Sequence, residues 1–189
     1  MVKGFHIICT NYGFWLPNDQ RGSGSDFVRS KALLKFGKAT KVTTRRSVAS
    51  KSFDPKIREI ARTSLQYPPI KWTGVQARCV AHAFADELAT YGGTLYAFSI
   101  MPDHFHMVIG PHRYDIRRFV ARLRGAATKR LRAEKLYPGK IPSPWSRNPW
   151  IVYLWTDEEM LQRIKYVENN PFRAGLKPQH WSFIKPYPI

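Results

Sequence analysis

The chain has 189 residues, and its 31 Lys and Arg against 13 Asp and Glu give a formal charge of +18. A length of this order and an apolar content of 43% suit one domain with a sizeable core, and no apolar run approaches the ~18 residues of a membrane span. The two cysteines, Cys9 and Cys79, lack CxxC spacing, which excludes a disulfide framework or a zinc knuckle built from them alone.

The basic balance predicts attraction to a polyanion, with nucleic acid first. The sequence has no aspartate cluster, so few carboxylates are available for a nuclease that holds two metals with acids alone. The N-terminus has no charged stretch leading into an apolar segment, so a cytoplasmic protein with reduced, core-facing cysteines is expected.

Phe5 to Thr10 (FHIICT) reads as a short strand, β-branched and apolar with a polar end. In the following NYGFWLPND, Gly13 and Pro17 end regular structure. Tyr12, Phe14 and Trp15 there either stack on unpaired bases or plug the edge of the core. Residues from about 20 to 70 read as a basic insertion into one domain spanning 1–189. Phe27 to Phe53 carries eight Lys or Arg and no acid, as in a solvated arm or a segment that tracks phosphates. Asp54 as N-cap with Pro55 behind it predicts a short helix to Gln66, stopped by Tyr67-Pro68-Pro69.

Trp72, Val75, Cys79, Val80, Ala83, Phe84, Leu88 and Tyr91 recur at three and four, the spacing of an amphipathic helix that Gly92-Gly93 ends. Thr94 to Ile100 is a strand. Pro102-Asp103 joins it tightly to a second, MPDHFHMVIG, so the two are antiparallel neighbours. Period-two alternation puts His104, His106 and Val108 on one face of that second strand and Phe105, Met107 and Ile109 on the other. The apolar face belongs on a core. The other presents two imidazoles able to share a metal ion, although a lone His-hydrophobe-His triplet is more often two half-exposed histidines.

Asp115 caps the next helix, whose apolar stripe is Ile116, Phe119, Val120, Leu123, Ala127 and Leu131. Arg117, Arg118, Arg122, Arg124, Lys129, Arg130 and Arg132 fall mostly opposite. With only Glu134 to pair locally, this face is a candidate phosphate contact rather than a merely solvated one. Tyr137 to Pro149 is loop, and Trp150 to Trp155 is a strand. Thr156 with Glu159 forms a capping box for a last helix that Pro171 and Gly175 close, followed by a tail without regular structure.

Without the insertion and the last helix, the order is βαββαβ, the ferredoxin-like split βαβ pattern. The expected fold is α+β: an antiparallel sheet with helices on one face, the His104 strand central, and an added C-terminal helix. On that helix Tyr166 falls about 100° off the buried stripe, with Asn170 one turn on. A tyrosine so placed is ordinarily an edge residue with its hydroxyl in water.

HFH at 104 to 106, followed by YVENNPFRAGL at 166 to 176, resembles the HUH single-tyrosine transposases. The likeness is strongest to the REP-associated tyrosine transposases of the IS200-like superfamily, in which MPDHFH-like and YIxxNPxRAGL-like stretches recur in this order. YGFWLP is similar to the family's stretch after the first strand, though Asn11, Phe14 and the basic insertion depart from the pattern.

The resemblance implies a metal-dependent endonuclease and strand transferase acting on single-stranded, hairpin-bearing DNA through a 5′-phosphotyrosine. Tyr166 would be the nucleophile, and His104 and His106 metal ligands. Asn170 would be a third ligand, although a residue before proline is biased away from helical backbone. The family's ions are Mg2+ or Mn2+, and imidazole ligation favours the latter. Two other readings remain: a transposase-derived protein that binds nucleic acid without cutting it, and a hydrolase that uses water. Monomer and homodimer are both open.

Overall fold

The structure, a computed structural model, describes residues 1–17, 19, 27–28, 30–39, 54–137 and 141–188. Elements follow the order β1 (Gly4–Thr10), α1 (Pro55–Thr63), α2 (Gly74–Tyr91), β2 (Leu95–Ile100), β3 (His104–Ile109), α3 (Ile116–Ala133), β4 (Trp150–Leu154) and α4 (Asp157–Arg173). The chain forms two compact units, one of Met1–Thr10 with Lys71–Ile189, the other of Asn11–Ile70.

In the first unit the strands lie in the order β2-β3-β1-β4, and every neighbouring pair is antiparallel. This is the expected ferredoxin-like arrangement, with β3 and β1 central. Alternation along β3 divides the sheet as predicted. Phe105, Met107 and Ile109 are buried on one face, where Phe84 of α2 meets Phe98 and Phe105 at ring-centroid distances of 5.6 and 5.2 Å. The six predicted stripe residues of α3 are all buried, and α3 packs against α2. Trp145, in the loop before β4, links this layer together, since its ring meets Phe105 while its indole N–H donates to Arg124 O and Thr128 Oγ1.

The opposite face carries His104, His106 and Val108. Here α4 docks, with Met160 and Val167 packed on Ala97, Val108 and Leu154. The helix begins at the predicted capping box, Thr156 accepting from the Glu159 N–H and Glu159 reaching back to the Thr156 N–H.

Its end differs from expectation: Pro171 lies inside the helix rather than stopping it. A proline in the last turn forfeits one hydrogen bond. That turn still closes beyond it, through Ala174 N–H to Asn170 O at 3.0 Å and Leu176 N–H to Pro171 O at 2.8 Å. Asn170 therefore keeps helical backbone despite preceding a proline, and stays in phase with Tyr166.

Gly4, in β1, sits where a side chain has no room. A Cβ there would stand 2.7 Å from both Ile109 O and Met160 Sδ. The methionine can bend away, but the carbonyl is fixed in the sheet. Gly4→Ala is expected to lower stability by about 1–3 kcal/mol, as over-packing does, and Tm by several degrees in thermal unfolding. An unchanged Tm would mean that β1 and β3 are not held at the spacing that brings Gly4 against the Ile109 carbonyl.

The tail after α4 has no regular structure, as expected, and runs beside β2. Lys185 N–H donates to Leu95 O at 2.9 Å. The Gln179 amide brackets Ile100, accepting from its N–H at 2.9 Å and donating to its carbonyl at 2.8 Å.

The second unit has a small core of its own. Leu16, Leu33 and Ala61 are buried, with Val28, Phe36 and Leu65 against them, and Asp19, fully buried, pairs with Arg58 at 3.1 Å. The helix α1 starts at Asp54, whose carboxylate accepts from the Lys56 and Ile57 N–H groups, as predicted. A 3₁₀ turn at Lys31–Phe36 falls where no regular structure was expected. Five of the eight basic residues of the predicted arm, Arg29, Lys41, Arg45, Arg46 and Lys51, lie outside the described residues. No described helix is long and apolar enough to cross a membrane.

Candidate active site

His104 and His106 stand side by side on β3, their ring centroids 5.0 Å apart. The β1 strand adds a third imidazole that the sequence reading passed over. Its antiparallel register sets His6 opposite Val108 and therefore diagonal to His106. The His6 Nε2 and His106 Nδ1 atoms are 3.0 Å apart in a buried contact, with the rings inclined by only 16°. From α4, Tyr166 turns its ring edge-on to both, at 5.8 Å from His6 and 5.6 Å from His106. The predicted placement of Tyr166 at the margin of the buried stripe thus delivers it to the histidines.

Burial, and then the positive charge of Arg163, pushes His6 down to about 4. Burial, then His104 and His6, pushes His106 down to about 2. Both rings are therefore neutral near pH 7, the form that coordinates metal. The His104 Nδ1–H donates to the Asp103 carboxylate at 2.7 Å, which assigns any coordination to Nε2. A carboxylate behind a ligating histidine fixes the ring and raises its basicity. The Arg173 guanidinium stands 5.7 Å from the centroid of the Tyr166 ring.

The residues present fit a divalent ion. Two adjacent imidazoles supply nitrogen donors. One turn after Tyr166, the Asn170 side-chain nitrogen is buried with no hydrogen-bond partner among the described residues. Amide nitrogen and oxygen exchange places by a flip, so this position can offer a metal-binding oxygen. Among the described residues no three His, Cys, Asp or Glu side chains form a metal-holding group. A site of two imidazoles and an amide would keep coordination positions open for substrate oxygens.

The arginine face of α3 lies across the sheet from these histidines and is partly committed. Arg122 pairs with Glu87 at 2.6 Å and lies 3.3 Å from the Tyr91 ring centroid. Arg130 pairs with Asp86 and Glu134, each at 2.7 Å. Arg124 is half-buried and donates to the Ser146 and Arg147 carbonyls. Along the sequence, only Glu134 lies where it can pair locally with this face. Asp86 and Glu87 come into range only because α2 packs on α3. Arg117, Arg118 and Lys129 are exposed and make no ion pair among the described residues.

Residues 72–170 match the family model for IS200-like transposases, a span that contains both β3 histidines, Tyr166 and Asn170. Among solved structures, a REP-associated tyrosine transposase bound to a REP hairpin is 13% identical, covering 97% of this chain and 76% of that one at a TM-score of 0.49. A Deinococcus radiodurans R1 protein provisionally classed as a transposase is 15% identical, covering 89% of this chain and 91% of that one at a TM-score of 0.43. No curated protein matches the chain.

Proposed function

Because the chain belongs to the IS200-like transposase family, we propose that it cuts and rejoins single-stranded, hairpin-bearing DNA with Tyr166 as nucleophile. The observation that carries this reading is the contact of Tyr166 with the buried histidine pair. The Tyr166 phenol oxygen attacks the scissile phosphorus, and the bond from phosphorus to the 3′ oxygen breaks. The phenol proton passes to solvent, and the departing 3′ oxygen gains a proton. The product is a 5′-phosphotyrosine and a free 3′-hydroxyl. Attack by a 3′-hydroxyl reverses the step without ATP, because the phosphodiester energy is kept in the adduct.

His104 and His106, with Asn170, would hold Mg2+ or Mn2+, and the imidazoles favour Mn2+. When bound, such an ion polarises the phosphate and offsets the charge that develops on it. Arg163 and Arg173 add positive charge beside the tyrosine. The test is incubation of the protein and Mn2+ with labelled hairpin-bearing strands, followed by a denaturing gel. A band shifted by covalent attachment of protein is expected. Binding without cleavage would assign the chain to the non-cleaving, transposase-derived class, and cleavage without an adduct would assign it to water attack.

Affinity for the strand is expected to come from many phosphate contacts. Counterion release gives a slope of about −0.7 per contact in a plot of log K against log salt. Replacing Arg117, Arg118 and Lys129 together with alanine is expected to flatten that slope by up to about 2. Replacing Arg122 and Arg130, whose charges are already matched by acids, should change it much less. Equal effects from the two sets would mean that the ion pairs open on binding, and no effect from either would remove α3 from the interface.

A further inference from the structure

We infer that His6 is a positioning residue of the metal site, holding His106 in the one tautomer that can ligate an ion; the inference rests on His106 being a ligand. A neutral imidazole carries one N–H, so its two nitrogens cannot both donate. The His106 Nδ1 faces the His6 Nε2 at 3.0 Å, and one proton lies between them. If His6 supplies that proton, His106 carries its own on Nε2 and has no lone pair left outside the contact. If the His106 Nδ1–H donates instead, the Nε2 lone pair is open to a cation, and His6 keeps its proton on Nδ1.

The second arrangement is the only one compatible with ligation through Nε2. In it His6 does for His106 what the Asp103 carboxylate does for His104. The acceptor is held rigidly, because His6 lies in a central strand, 2% exposed, in fixed register with β3. The His6 Nδ1 is buried and has no partner among the described residues. An N–H there is left unsatisfied, whereas a bare lone pair is the lesser loss. Without an ion the pair therefore favours the tautomer in which His6 donates, and ion binding draws both protons to the Nδ1 positions. Neither ring changes its charge.

The experiment compares the full chain with His6→Leu and His6→Gln by calorimetric titration of MnCl2. It adds long-range 1H–15N spectra of the histidine rings with and without saturating Mg2+, which is diamagnetic. Leucine cannot accept from His106, and the Mn2+ Kd is expected to rise 10- to 100-fold. Glutamine offers an acceptor oxygen and should restore most of the affinity. In the wild-type spectra, the His106 proton should move from Nε2 to Nδ1 when Mg2+ binds.

A leucine variant that folds and binds Mn2+ like the wild type overturns the inference and leaves the metal site standing. So does a His106 that keeps its Nε2–H with the ion bound. A wild-type protein that binds neither ion overturns the metal reading and this inference together. Should the leucine variant not fold, the wild-type spectra decide alone.

Discussion

Tyr166→Phe is expected to abolish cleavage and the covalent adduct together, by at least a thousandfold, or about 4 kcal/mol of transition-state stabilisation. The substitution removes one oxygen and nothing else from a half-buried ring. The ring itself makes the contacts with His6 and His106, so the packing of α4 on the sheet should survive, with Tm and hairpin affinity unchanged. A phenol attacks slowly at neutral pH unaided. On the proposed mechanism, reaction therefore depends on positive charge gathered around the phosphate. The wild-type adduct should map by mass spectrometry to a peptide containing Tyr166. If the phenylalanine variant cuts at near-normal rate, water is the nucleophile and the histidines serve an ordinary hydrolytic metal site.

His104→Ala and His106→Ala should each lower cleavage by roughly 10²- to 10³-fold, the range seen when one group stabilising developing charge is lost, with hairpin affinity kept within about threefold. The two readouts separate because, on the proposed mechanism, cleavage depends on one ion at the scissile phosphate and affinity on many contacts along the backbone. His104 gives the cleaner result, because it is partly exposed and its removal leaves little cavity. His106 is 5% exposed, and truncating it also opens the core, so its Tm should fall as well. Full cleavage by the double variant in the presence of a chelator would exclude a metal role.

Much of this site was readable in the chain because strand geometry is simple. A period of two fixes which of His104, Phe105, His106 and Met107 share a face, and no tertiary information is needed for that. The βαββαβ order then placed β3 in the middle of the sheet. Tyr166 could be set at the margin of its helical stripe from the 100° step, but its pairing with the histidines came from resemblance, not from spacing.

His6 was missed for a different reason. The alternation in FHIICT marks two faces of β1 without saying which one lies on the histidine side, and a register slip of one residue would exchange them. The ferredoxin order, which puts β1 against β3, was the one signal that could have flagged a histidine there. The α2 partners of Arg122 and Arg130 were equally out of reach. Their acids sit 35 and 44 residues earlier on another helix, and only packing brings them together. The helical end at Pro171 follows the same logic: a local rule about proline yields when the turn beyond it closes through Ala174 and Leu176.

The tail that runs along β2 has a consequence for how this sheet meets its neighbours. An outermost strand offers unpaired backbone groups to any passing chain, which is how sheets recruit one another into aggregates. Here Lys185 and Gln179 occupy the outward groups of Leu95 and Ile100, so that side of the sheet is shielded by the polypeptide itself. The β4 side has no such cover among the described residues, and it displays Tyr153 and Trp155, which are 45% and 56% exposed. The β2 flank is thereby closed to an added strand, and deleting the stretch from Gln179 onward is expected to open it, read as a rise in light scattering as the protein is concentrated.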